Sequence, residues 1–262
     1  MSTICNDHAL TQSSDRVLIE LLFSQEDRLP RPAVDEILSR GAALTTALIA
    51  TAIDPRNWNA PRPAWWAPVH ATFILGSIDD PIGDPALFWA MRDAEAFAYD
   101  WISTAMPAIL GRRGRRVRDG LCKIGADRSE GGGLRAVALQ ALAATTLEDA
   151  AEKDGAFALV GRVFCDASEE RRLRGAAGKV LLDFHVGAYR DALDAFAREE
   201  HGRRYDTAIE VPRFSQDDVA RAFARPGASD WYRRDWLSFY DAEQIAARQA
   251  RWAREDGERA SR

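Results

Sequence analysis

The chain has 262 residues, enough for one large domain or a solenoid with a short appendage. With 47% hydrophobic and 29% charged residues it has the composition of a folding chain, which excludes a disordered one. A net charge of −5 disfavours a generic nucleic-acid binder and leaves that role only to a local basic patch.

The opening MSTICNDHALTQSS has neither a basic n-region nor an apolar h-region, so no signal peptide is expected. No run approaches the roughly 20 apolar residues needed to span a bilayer, and a cytoplasmic location follows as the expectation. Cys5, Cys122 and Cys165 are widely spaced and match no CxxC pattern. They are expected to be reduced, with Cys122 and Cys165 serving as small buried residues on helices.

Helical periodicity dominates, and no strand-length alternation of period two appears. Val17, Leu18, Leu21 and Leu22 predict an amphipathic helix over residues 15–23. Pro32 suits the first turn of a helix ending at Ser39 and closed by Gly41, followed by a helix over 44–53 that Asp54-Pro55 stops. A proline-rich connection, 55–63, holds Trp58. Residues 65–78 (WWAPVHATFILGSI) then pair with 85–91, 100–110 with 116–123, 134–145 with 155–165, and 169–183 with 189–199. Gly131-Gly132-Gly133 introduces the 134–145 helix, and Ser168 is placed to cap the 169–183 helix. The first helices recur at about 34 residues, the period of stacked helix pairs.

After Glu200 the character changes. Residues 202–211 are polar and irregular. Ser215-Gln216-Asp217-Asp218 reads as a capping box opening a helix to Phe223, ended by Pro226-Gly227. An aromatic segment, 231–240, precedes a last helix capped by Asp241 and carrying Ile245 and Trp252, with fraying expected over 254–262.

The expected fold is therefore all-α: a HEAT-like helical-repeat solenoid, a right-handed superhelix of about five helix pairs over residues 13–200. A helical C-terminal extension, 201–262, completes it, with its last helix at 241–255. The Trp, Leu-Gly, Tyr and Pro offsets of tetratricopeptide arrays do not recur, while the Ala-rich second half of each first helix suits HEAT-like packing.

Arg28-Leu29-Pro30-Arg31-Pro32-Ala33-Val34-Asp35-Glu36-Ile37-Leu38, then Trp66-Ala67-Pro68-Val69-His70-Ala71, and the later Ala-rich helices carry a family resemblance. Over roughly Val17 to Arg225 the chain resembles a bacterial domain-of-unknown-function family of HEAT-like proteins, whose members often end in a SEC-C zinc motif. That motif needs clustered Cys with a further Cys or His, and beyond Cys165 this chain has no Cys, so no zinc site is expected. The resemblance implies a fold and carries over no activity.

Arg112, Arg113, Arg115, Arg116 and Arg118 place five guanidinium groups within seven residues, on the link between two helices. They could bind phosphates or a carboxylate-rich partner through bidentate bonds, or pair with Asp93, Glu95 or Asp119 on a solvated loop. His70 sits beside an apolar stripe, with Trp66 four residues before it and Phe73 and Ile74 after it. A partly buried, hydrogen-bonded core role is the plain reading, and a catalytic one the sharper. Trp231, Trp236, Phe239 and Tyr240 supply the amphipathic anchors typical of interfaces. They either fold back to cap the last repeat or dock on a partner or a second copy.

No metal motif and no cofactor-binding motif occurs. The functional expectation is a scaffold or adaptor with a protein partner and no membrane association. Nucleic-acid or polyanion binding through residues 112–118 is the alternative, and an enzyme on a helical-repeat frame the second.

Overall fold

The computed structural model describes residues 7–201, 214–224 and 228–260. Cys5, the polar stretch 202–211 and the Pro226-Gly227 stop lie outside the described residues, as does the side chain of His8. The described chain is all-α, with no strand.

Helix α1 (Asp7–Thr11) precedes α2 (Asp15–Ser24), whose start is fixed by the Ser14 hydroxyl accepting the Val17 N–H. In α3 (Arg31–Arg40) Pro32 occupies the first turn, and Gly41, at φ 48°, turns the chain directly into α4 (Ala42–Ile53). The proline-rich connection forms α5 (Pro55–Trp58), and the 3-10 turn Ala64–Trp66 leads into α6 (Ala67–Ser77).

Helix α7 (Asp84–Ala96) runs five residues past the expected stop at 91. It ends in a Schellman-type turn: Ala98 takes φ 56° and the Tyr99 N–H reaches the Ala94 carbonyl at 2.8 Å. Next come α8 (Asp100–Gly111), α9 (Arg115–Ala126), α10 (Gly132–Thr145), α11 (Lys153–Cys165), α12 (Arg171–Asp183) and α13 (Arg190–Glu200). The Ser215–Asp218 capping box forms as expected and opens α14 (Gln216–Ala224), with Ser215 N–H on the Asp218 carboxylate at 2.8 Å and Asp218 N–H on the Ser215 hydroxyl at 3.2 Å. The aromatic segment forms two 3-10 turns, Ala228–Arg233 and Trp236–Tyr240, before α15 (Ala242–Ala260). Helix α15 continues to Ala260, well into the stretch expected to fray.

The chain divides into two units, Met1–Ile102 with Asp235–Arg262, and Ser103–Arg234. In the first, α6 is the central helix: every residue from Ala67 to Gly76 is buried, with α2, α3, α4 and α7 packed around it. A helix apolar on all sides needs neighbours on all sides, and here it has them.

In the second unit the closest hairpins join α9 to α10 and α11 to α12, and α10 also packs on α12. The short turns inside the two hairpins share one construction. Asp127 accepts the N–H and hydroxyl of Ser129 at 2.9 and 2.7 Å, and Asp166 does the same for Ser168 at 2.9 and 2.6 Å. Each next helix then sends an arginine back to the last turn of the one before: Arg135 Nε to the Gly125 carbonyl at 3.1 Å, Arg174 Nε to the Phe164 carbonyl at 2.9 Å. Carbonyls at a helix C-terminus lack intrahelical partners, so a cation there satisfies both a hydrogen bond and the helix dipole. Ser168 thus belongs to the turn, and α12 begins at Arg171 without a side-chain cap.

Candidate functional site

The arginine-rich link does not present five cations on one face. Gly114, at φ 56°, breaks the chain between α8 and α9, and from there the side chains diverge. Arg113 and Arg118 are buried, while Arg112, Arg115 and Arg116 are exposed. Arg118 donates to the Glu152 carboxylate at 2.8 Å, the Thr145 hydroxyl at 3.3 Å and the Asp149 carbonyl at 3.3 Å. Arg115 reaches the same two acidic residues, at 3.3 Å from Asp149 and 3.2 Å from Glu152. The Arg118 hydrogen bond, then that of Arg115, holds the Glu152 carboxyl below its ordinary range. The acidic partners of Arg115 and Arg118 thus come from the connection before α11, not from Asp93, Glu95 or Asp119. An incoming polyanion has to displace Asp149 and Glu152 to engage these two arginines.

His70 is fully buried on α6. Its Nε2 lies 2.6 Å from the Glu26 carbonyl oxygen, which can only accept, so Nε2 carries the proton. Nδ1 is then the acceptor for the Tyr240 hydroxyl at 3.1 Å. Burial, aided by the nearby Arg248 charge, pulls the imidazole pKa down to about 4, and burial pushes the Tyr240 phenol up. Both ring nitrogens are engaged and neither faces solvent, so the geometry gives His70 a holding role rather than a reacting one.

The carbonyl that His70 uses comes from a strained residue. Glu26 sits at φ 54°, just past the end of α2, and presents its carbonyl inward. Its neighbour Asp27, 2% exposed, binds three residues of α15: its carboxylate accepts from Gln249 Nε2 at 2.8 Å and Trp252 Nε1 at 2.9 Å, and its carbonyl from Arg248 at 2.8 Å. The Arg248 guanidinium in turn lies 3.6 Å from the centre of the Phe239 ring. Trp236 Nε1 donates to the Phe73 carbonyl at 3.0 Å, and Arg31 pairs with Asp241 at 3.2 Å. Phe239 meets Trp66, Phe73 and Trp101 at centroid separations of 5.5–5.8 Å. The result is a clasp that fastens residues 236–252 to the first hundred residues.

The four aromatic anchors therefore part company. Trp236, Phe239 and Tyr240 are buried in the first unit, where they cover α6. Trp231 belongs to the second unit and is 39% exposed, with Arg234 stacked at 4.9 Å from its ring. Its neighbour Tyr232 is buried, donating to the Asp183 carboxylate at 3.1 Å. Among the cysteines, Cys122 is half-buried and Cys165, at the end of α11, is exposed, against the expectation that both are buried.

The residues missed in the sequence lie at α7. Ile82 is 61% and Trp89 58% exposed, with Pro85 exposed between them. Leu87, Ala90, Met91 and Ala94 form the buried stripe of α7. Trp89 stands two residues from Leu87 and Met91, so it lies roughly 200° around the helix from each. The run ALFWAM is apolar on every side, and counting from the buried stripe would have placed Trp89 outside. Ile82 and Trp89 are the two most exposed large apolar side chains among the described residues.

Among the described residues no group of three or more His, Cys, Asp and Glu side chains is arranged to hold a metal ion. No single described helix is long and apolar enough to cross a membrane. Comparison with protein-family models, curated proteins and solved structures gives no match to this chain.

Proposed function

We propose that this protein is a protein-interaction scaffold or adaptor of HEAT-like helical repeats, working in the cytoplasm and binding its partner through the outer face of α7. The observation that carries the reading is Trp89, more than half exposed on α7, with Pro85 exposed one turn before it and Ile82 exposed in the turn that precedes the helix. Tryptophan on a preformed helix face offers much contact area at little conformational cost, the property that makes it a hot-spot residue. The two like-built hairpins of the second unit support a repeat architecture, and with it the HEAT-like resemblance. Polyanion binding through residues 112–118 draws less support, because Arg113 and Arg118 are buried and Arg115 is engaged by Asp149 and Glu152.

The test is affinity capture from host lysate with the intact chain, with Trp89→Glu, and with Arg112 and Arg116 both changed to Ser. The scaffold reading expects a stoichiometric protein partner whose retention falls at least tenfold with Trp89→Glu and is unchanged by the arginine variant. Nuclease-sensitive material lost with the arginine variant, and indifferent to Trp89, would overturn it in favour of the polyanion.

A further inference from the structure

We propose that the α7 face takes an arginine of a protein partner, its guanidinium lying on the Trp89 ring and hydrogen-bonded to the Asp93 carboxylate. The inference rests on the reading of this face as the docking surface and adds the chemistry of what docks there. Asp93 stands one helical turn after Trp89 and one before Phe97, so large rings flank it on its own side of α7. It is half-buried, and among the described residues its carboxylate has neither a cation nor a hydrogen-bond donor. Burial alone pushes its carboxyl above the ordinary range. A carboxylate that has lost part of its water without gaining a partner is stabilised by a cation arriving from outside.

Elsewhere in the chain, part-exposed tryptophans already hold a partner of this kind. Arg234 lies 4.9 Å from the Trp231 ring, and Arg251 lies 4.5 Å from Trp252 and 5.7 Å from Trp101. Trp65 stacks instead on Tyr99, at 4.5 Å. Trp89 is the most exposed of the eight, and among the described residues neither a ring nor a cation lies against it. A guanidinium fits both halves of the vacancy: it is flat and weakly hydrated, so it stacks on an indole while its edge gives paired N–H donors to a carboxylate. A lysine ammonium is a compact, strongly hydrated point charge and does the two less well. The surroundings are complementary in charge. Residues 79–100 carry six carboxylates against one cation, Arg92, so a basic segment is attracted and a polyanion repelled.

Selection from a phage-displayed library of random short peptides tests this. The full chain is the bait, and peptides also retained by Trp89→Ala are discarded. The Trp89-dependent peptides should be enriched in arginine. The best of them, made synthetically, should bind Asp93→Asn about tenfold more weakly than the unaltered chain. Replacing its arginine by lysine should also weaken it. Asp93→Asn removes a partly desolvated charge and so keeps the fold, which far-UV dichroism verifies. With Asp93→Lys as bait, enrichment should move from arginine to Asp and Glu. Trp89-dependent peptides without arginine enrichment, or an arginine peptide indifferent to Asp93→Asn, would overturn the proposal while leaving α7 a docking surface of other chemistry. The absence of any Trp89-dependent peptide would overturn the proposal and the docking surface together.

Discussion

The two units hold themselves together by different means. The first closes around one clasp whose halves lie at opposite ends of the sequence, joined by buried rings, a neutral histidine and a single buried carboxylate. The second repeats a local device: an Asp-fixed turn, an arginine reaching back to the preceding helix, and ion pairs between hairpins such as Arg135 with Glu169, whose side chains are 5% and 7% exposed. A clasp concentrates stability in a few remote residues, whereas a repeated device spreads it along the chain. Acid and substitution should therefore act on the two units separately.

The largest effects should come from breaking each device once. Trp236→Ala should cost about 3–5 kcal/mol, the usual range for a buried tryptophan. Urea unfolding followed by tryptophan fluorescence reports this well, because of the eight tryptophans only Trp231 lies in the second unit. Arg135→Ala should cost up to about 3 kcal/mol in the second unit, since it leaves the buried Glu169 with only the exposed Arg128 at 3.2 Å. Adding Glu169→Leu to Arg135→Met should restore most of that loss, which a double-mutant cycle measures.

Acid sharpens the contrast. The neutral form of His70 is favoured in the folded state, with a pKa of about 4 against an ordinary 6.5. The groups facing it are Arg248, Asp27, the Tyr240 hydroxyl and the Glu26 carbonyl. The unfolded chain takes up a proton below pH 6.5 while the folded one resists until about pH 4. The stabilisation is therefore complete above 6.5 and falls by about 3 kcal/mol across that window. Glu169, its pKa depressed first by the Arg135 hydrogen bond, contributes stability that is present above the ordinary carboxylate range and lost only below it. The first unit should give way earlier on acidification, which a pH series of urea midpoints checks.

Smaller changes probe local geometry. Ala98→Gly should raise thermal stability by about 1 kcal/mol, because Ala98 sits at φ 56°, where a Cβ is strained.

The helices were legible because their punctuation is local. Pro32, Gly41, Asp54-Pro55 and the Ser215–Asp218 box mark the ends of α3, α4 and α14 within a residue or two. The end of α7 was missed because it lies at Ala98, an alanine in the conformation that glycine normally marks. The clasp was half legible: His70 and the 236–240 aromatics stood out by type, yet their pairing spans 170 residues and leaves no trace in spacing. Asp27 gave no signal at all, since its partners are 221–225 residues away. The arginine cluster misled for the opposite reason. Its spacing is visible, but which of its members turn inward depends on the Gly114 break and on Glu152 from a later segment.

The most direct test of the account is amide hydrogen exchange at pH 7 and pH 5, corrected for intrinsic rates, comparing α6 with α10. At pH 5 the His70 contribution should have lost about 2 kcal/mol while Glu169 keeps its own. Protection of Ala67–Ser77 should then fall by more than an order of magnitude, with Gly132–Thr145 unchanged. Equal losses in both helices, or an earlier loss in α10, would contradict the claim that the units are held by separate and chemically distinct means.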